Sequence, residues 1–314
     1  MTPFNYHDQL SWLPATWRDT AGEGIKIAII DSGIDFSHPD LAHLDRHGRA
    51  FRTGRSDFDI STARGNDNVT DGRPSGVPHG SMVAGMIGAK AADPVHGLTG
   101  VCPEADITII KAIDNDAEFF EPYFTNALEV ALREEVDLVC VSGFPVAVGR
   151  VDTARREELF KRLKEAGIVV LGTLLNTKFT DELNAFQYPC DQDTTIVTGA
   201  VGRTLVESLG QDGTDPLSDR IDLVWPQVTL SHCVDTQDGF YREDELSSSL
   251  ATALLTGAAG LALAAERAER GDPDHRMSRA ELLGALAPHA LAFSAATVLA
   301  ESRLVPFHLR NPLV

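Results

Sequence analysis

A chain of 314 residues, 43% hydrophobic and 23% charged with no low-complexity tract, is long enough to bury a large core and has a globular composition. Its net charge of −19 argues against nucleic acid and anionic membrane surfaces as partners, because basic surface supplies most of the affinity for both. The N-terminus has neither the basic start nor the apolar core of a signal peptide, no apolar stretch reads as long enough to span a membrane, and Cys102, Cys140, Cys190 and Cys233 form no CxxC pair, so the expectation is a cytoplasmic, reducing-compartment protein.

In chain order, apolar runs alternate with helical patterns. Ile25–Ile30 is short and β-branched, as expected of a strand buried on both faces. Ile107–Ile113, Leu138–Val141, Ile168–Leu171 and Thr195–Ala200 read the same way, and Cys140 within its run reads as a small buried hydrophobe. Helices are predicted over Ser81–Ala89, whose residues are small and apolar, over Asn126–Glu134 and over Asp152–Ala166. The stretch Thr62–Ser75 reads as a long surface loop. Later, Ser249–Ala265 reads as a long buried helix, and Ser278 with Glu281 forms a capping box opening a helix to Ala287. Strand–helix alternation predicts an α/β fold: a doubly wound, mainly parallel sheet with helices on both faces, its functional site beyond the carboxyl ends of the strands.

Three polar residues stand at strand–turn–helix junctions. Asp31 ends the first strand, before Ser32-Gly33; such aspartates are mostly turn or cap residues. His79 opens the helix of small residues, and a lone histidine there is usually a surface or capping group. Ser247, Ser248 and Ser249 open the long helix, where serine is commonly an N-cap, so local physics does not choose among them. Their order along the chain, Asp…His…Ser, is the order the subtilisin triad follows.

Each residue also lies in a longer motif. IKIAIIDSGIDFSHPDL resembles the aspartate motif of subtilisin-like serine proteases, PHGSMVAG their histidine motif, and SSSLATALLTGAAGLAL their serine motif. Aligning on Thr256-Gly257-Ala258 puts the family nucleophile on Ser249. GVCPEADITIIKAI and YPCDQDTTIVTGAV resemble further family segments, and AGIVVLGTLLN places Asn176 on the family's oxyanion-hole asparagine. The resemblance runs from about Gly24 to Ala265. It implies a serine endopeptidase: Ser249 the nucleophile, His79 the general base, Asp31 the residue orienting the imidazole, Asn176 and the Ser249 N–H the oxyanion donors. Peptide or protein is the implied substrate.

Departures from the family pattern are concentrated around the substrate. Ser247-Ser248 replace Gly-Thr before the nucleophile, Ala253 replaces a proline, and Met82 replaces a second histidine. Ser142 and Gly143 fall on one wall of the primary specificity pocket, followed by Phe144. Thr173, Leu174 and Leu175 fall on the other, with leucine in place of glycine before Asn176. The expectation is restricted specificity through a shallow or closed pocket. The alternative is an inactive relative that binds peptides or a partner.

Secreted family members carry an N-terminal propeptide. Only about two dozen residues precede the first strand here, so an intracellular type that folds without one is expected. The expected organisation is an N-terminal extension over 1–23, a catalytic domain over 24–270 and a C-terminal helical extension over 271–314 packed on the same domain. Candidate restraints on activity are the closed pocket, the segment Leu10–Trp17 lying across the cleft, and a regulatory protein partner or larger modular context. Calcium commonly stabilises the family. Asp35, Asp40 and Asp67–Asp71 offer oxygens but no recognisable ligand spacing, so no cofactor is required and no metal is predicted.

Overall fold

The structure is a computed structural model that describes residues 16–45, 50–53, 61–63, 71, 78–93, 97–113, 121–143, 152–173, 188–201, 222–226, 230–234, 241–245 and 247–286. The first strand, β1 (Lys26–Asp31), is central. It pairs in parallel with β4 (Asp106–Lys111) on one side and β5 (Leu138–Val141) on the other. Beyond β4 lie β2 (Ala50–Arg52), parallel to it, and β3 (Ser61–Ala63), antiparallel to β2. Beyond β5 run β6 (Val169–Thr173), β7 (Thr195–Val201) and β8 (Leu223–Pro226), all parallel. The eight-stranded order is β3-β2-β4-β1-β5-β6-β7-β8, with β9 (Leu230–Val234) and β10 (Tyr241–Glu245) forming a separate antiparallel hairpin.

The alternation of side chains along each strand divides the interior into two cores. Ile27, Ile29, Ile107, Ile109, Leu138, Cys140, Val169, Leu171 and Ile196 face one way, against α1 (His79–Gly88) and α4 (Ser248–Arg270). Ala28, Ile30, Ile110, Val139, Val141 and Val170 face the other way, against α2 (Glu121–Arg133) and α3 (Thr153–Glu165). Strands covered on both faces must be apolar at successive positions, which is why they read as continuous runs. The fold is therefore the doubly wound α/β sheet predicted. A last helix, α5 (Arg279–Leu286), opens on the expected capping box and buries Leu282 and Leu286 in the first core.

Helix α4 is the central helix of the fold. Ser247 caps its start, its side chain accepting from Leu250 N, and Gly271 ends it in the left-handed conformation at φ 64°. Its length and mean hydropathy of 1.5 would suit a membrane span, contrary to the sequence reading, but 94% of that apolar window is buried inside the protein. Gly257 and Gly260 each cost about 1 kcal/mol relative to alanine in a helix interior. They are tolerated because of close packing. A Cβ on Gly257 would meet Val101 Cβ at 2.6 Å, and one on Gly260 would meet Cys102 Sγ at 3.0 Å. Closeness here buries Leu254, Leu255, Leu261 and Leu263, worth roughly 1.5–3 kcal/mol each, which outweighs the glycine cost.

The predicted surface loop Thr62–Ser75 needs correction. Residues 61–63 form β3, and Asp71 is buried at 8% exposure. The remainder of that stretch lies outside the described residues.

Candidate active site

Three elements bring the sequence-predicted residues to the carboxyl end of the sheet. Asp31 is the last residue of β1, 1% exposed. The chain turns at Gly33, whose φ of 118° suits glycine, and the first turn of α1 packs directly onto that turn. A Cβ on Gly80 would overlap the Gly33 carbonyl oxygen, so a glycine after His79 is what lets the helix come this close. The approach sets His79 Nδ1 2.8 Å from Asp31 Oδ1. A hydrogen bond to a carboxylate puts the ring proton on Nδ1 and leaves the Nε2 lone pair available.

The same oxygen of Asp31 accepts the backbone N–H of Ser32 at 2.7 Å and lies 3.1 Å from Ser32 Oγ. Ser32 Oγ also accepts from Gly80 N at 3.0 Å and lies 2.8 Å from Asp71 Oδ1. Asp71 Oδ2 accepts Ser81 N at 2.8 Å, which ties Asp71 to the first turn of α1. Burial above all, and also the Asp31 charge, raise the Asp71 carboxyl above its ordinary value, against the hydrogen bonds from Ser81 and Ser32. The buried ammonium of Lys111, at the end of β4, donates to the Ser32 carbonyl. Ser32 and Lys111 were not anticipated from the sequence, and Asp71 was singled out there only among acidic residues that offer oxygens to calcium.

The structure separates the three serines. Ser247 is the cap, Ser248 the first helical residue and Ser249 the second. Ser249, 6% exposed, donates from Oγ to the Ser142 carbonyl at 3.2 Å, and Ser142 Oγ donates to the Ser249 carbonyl at 3.3 Å. This reciprocal pair fastens the end of β5 to the first turn of α4. Behind it, Thr252 donates to the Ser248 carbonyl at 2.8 Å and lies 2.7 Å from Thr198 Oγ1 of β7. The structure thus brings Asp31 and His79 together, and Ser249 and Ser142 together. Among the described residues no hydrogen bond joins Ser249 to His79. Gly143 follows Ser142 at the same strand end, while Leu174, Leu175, Asn176 and Phe144 lie outside the described residues. On the opposite wall, Thr173 ends β6 with its carbonyl accepting from Cys190 Sγ at 3.3 Å.

Two further expectations meet the structure here. Asp40, one of the acidic residues that offer oxygens to calcium, accepts the N–H groups of Ala92 and Leu98, each at 2.7 Å. Trp17, the last residue of the candidate restraint Leu10–Trp17, donates to the Val101 carbonyl and packs on the first core. Val101 N bonds to Met86 O near the far end of α1, away from Asp31 and His79. Residues 10–15 lie outside the described residues.

The sequence model of the subtilase family matches residues 22–290. The chain belongs to the subtilase family. Among its subtilase relatives, an intracellular serine protease of Paenibacillus polymyxa is 30% identical over 60% of this chain and 53% of its own length. Subtilisin NAT of Bacillus subtilis subsp. natto is 29% identical over 77% of this chain and 56% of its own length. The major intracellular serine protease of Bacillus subtilis is 29% identical over 60% of this chain and 54% of its own. The chain thus spans about half the length of the curated relatives it matches. The solved structure of the prenylagaramide maturation protease PagA shares the subtilase fold, with a TM-score of 0.64 at 19% identity over 95% of both chains.

Proposed function

We propose that this subtilase is an intracellular serine endopeptidase acting through Ser249, His79 and Asp31. The observation that carries the reading is the 2.8 Å bond between Asp31 Oδ1 and His79 Nδ1, because it leaves Nε2 as a base at the carboxyl end of the sheet. Serine is a weak nucleophile until such a base takes its proton. In the proposed cycle a bound peptide directs Ser249 Oγ away from the Ser142 carbonyl and toward Nε2. Catalytic hydrogen bonds commonly tighten only when substrate is bound. Oγ then attacks the scissile carbonyl carbon, Nε2 takes the Oγ proton, and Asp31 stabilises the imidazolium through Nδ1–H. Nε2 returns that proton to the leaving amine as the C–N bond breaks. Water, deprotonated by the same nitrogen, hydrolyses the acyl-enzyme. The Ser249 N–H at the helix start and, by resemblance, Asn176 stabilise the oxyanion.

We propose further that specificity is narrow, because by resemblance Ser142 and Gly143 match one wall of the primary pocket and Leu174 and Leu175, bulkier than the family's small residues, match the other. A cytoplasmic setting fits the free, buried thiols of Cys102, Cys140 and Cys190. Burial holds the Cys140 thiol up at about 11 and Cys190 at about 12, so neither is a reactive thiolate. Peptide-library digestion read by mass spectrometry tests the reading. Cleavage after small residues, lost in Ser249→Ala and kept in Ser248→Ala, is expected. Leu175→Gly is expected to admit bulky residues. Cleavage that survives Ser249→Ala would refute the assignment.

A further inference from the structure

Ser32 Oγ stands between two carboxylates and has one hydrogen to give. Asp31 Oδ1 lies 3.1 Å from it and Asp71 Oδ1 2.8 Å, while its acceptor side takes the Gly80 N–H. If both carboxylates are ionised, only one of these two contacts contains a hydrogen, and the other sets lone pairs against lone pairs. If Asp71 carries a proton on Oδ1, every contact is satisfied. Asp71 then donates to Ser32, Ser32 donates to Asp31, and Asp71 Oδ2 still accepts from Ser81 N. The cluster is buried at Asp31, Ser32 and Asp71, so water does not dilute the choice.

We propose that Asp71 is a positioning residue of the site, which through Ser32 sets how many hydrogens Asp31 accepts. With its proton present, Asp71 turns the Ser32 hydroxyl onto Asp31; with the proton lost to solvent, it takes the Ser32 hydrogen for itself. Asp31 Oδ1 accepts three hydrogens in the first state, from Ser32 N, Ser32 Oγ and His79 Nδ1, and two in the second. With fewer donors, the Asp31 charge bears harder on the His79 N–H. Among the described residues, the charged groups bonded to the cluster are Lys111 on β4, whose ammonium holds the Ser32 carbonyl, and His79 on α1, while Asp35 approaches through its backbone N–H, which donates to Ser81 Oγ. Burial raises the Asp71 carboxyl above its ordinary value, in the direction that favours the protonated form. The inference rests on reading Asp31 and His79 as the catalytic pair.

The test uses the full chain, with Asp71→Asn and Asp71→Ala. Asparagine keeps the Ser81 acceptor and donates permanently to Ser32, which locks the first state. Alanine leaves the Ser32 hydrogen on Asp31 but removes the acceptor of Ser81 N, which loosens the first turn of α1 that carries His79. The readout is the NMR resonance of the His79 Nδ1 proton across pH. In wild type it is expected to move as Asp71 ionises. In Asp71→Asn that movement is absent. Fluorophosphonate labelling of Ser249 is expected to slow about tenfold in Asp71→Ala, with Asp71→Asn rescuing the loss. Identical titrations in wild type and Asp71→Asn would overturn the proposal, as would labelling of Asp71→Ala at the wild-type rate. Absence of labelling in wild type would count against the peptidase reading alone, since the resonance still decides the link.

Discussion

At Asp31, the contacts from Ser32 and His79 converge on Oδ1, and an asparagine there keeps the shape while losing the charge. Asp31→Asn is expected to lower kcat by about 10⁴-fold, as when a triad imidazole is held in the wrong tautomer, with binding of a peptide product little changed. Asp71 makes a separate contribution, visible in stability. Its folded carboxyl value is raised, so the stability it supplies is fully present below the ordinary carboxylate value and is lost as pH rises through the raised value. Asp71→Asn removes that dependence. Its Tm is expected to gain on wild type as pH climbs through that window, and parallel Tm curves would contradict this. Asp31, His79 and Ser249 were legible in the sequence because each lies in an ordered motif. Asp71 was not. In sequence it is one acid in a polar run, and only the fold shows that it lies beneath the first turn of α1, bonded to Ser32 and Ser81.

Helix α1 depends on how closely its first turn meets the turn after β1. Gly80→Ala forces a Cβ into the Gly33 carbonyl, so α1 must retreat and carry His79 from Asp31. A loss of about 1–3 kcal/mol in denaturant unfolding is expected, with a fall in labelling rate. Gly284, exposed in α5 with nothing near its missing Cβ, provides the contrast. Gly284→Ala is expected to gain roughly 0.5–1 kcal/mol and leave labelling unchanged. The strands with long apolar runs were legible to within a residue or two, as was the α3 start at its Asp152 cap. The strands that escaped, β2, β3, β8, β9 and β10, are three to five residues long. Too few side chains alternate in such strands for a period to register, and they form by pairing with a neighbouring strand.

On the scale of the molecule, one ion pair joins the two ends of the fold. Arg267 near the end of α4 reaches Asp137 Oδ1 at 2.6 Å and the Gly24 carbonyl at 2.9 Å, while Asp137 also accepts Lys26 N and the Arg276 guanidinium. Both Arg267 and Asp137 are buried, so removing Arg267 leaves the Asp137 carboxylate with the more exposed Arg276 as its charged partner among the described residues. Arg267→Ala is expected to cost about 3–5 kcal/mol in urea unfolding, far more than a surface pair such as Lys161 with Glu165. Long-range pairings of this kind leave no local trace in sequence, and Arg267 lies beyond Ala265, where the predicted helix ends. The central claim is that the same fold presents an activated serine. Reaction of the full chain with a fluorescent fluorophosphonate tests it most directly, because such a probe needs a base and an oxyanion site but no deep specificity pocket. Labelling of wild type and of Ser248→Ala, lost in Ser249→Ala and His79→Ala, is the expected result. An unlabelled wild type, or label that persists in Ser249→Ala, would contradict the account.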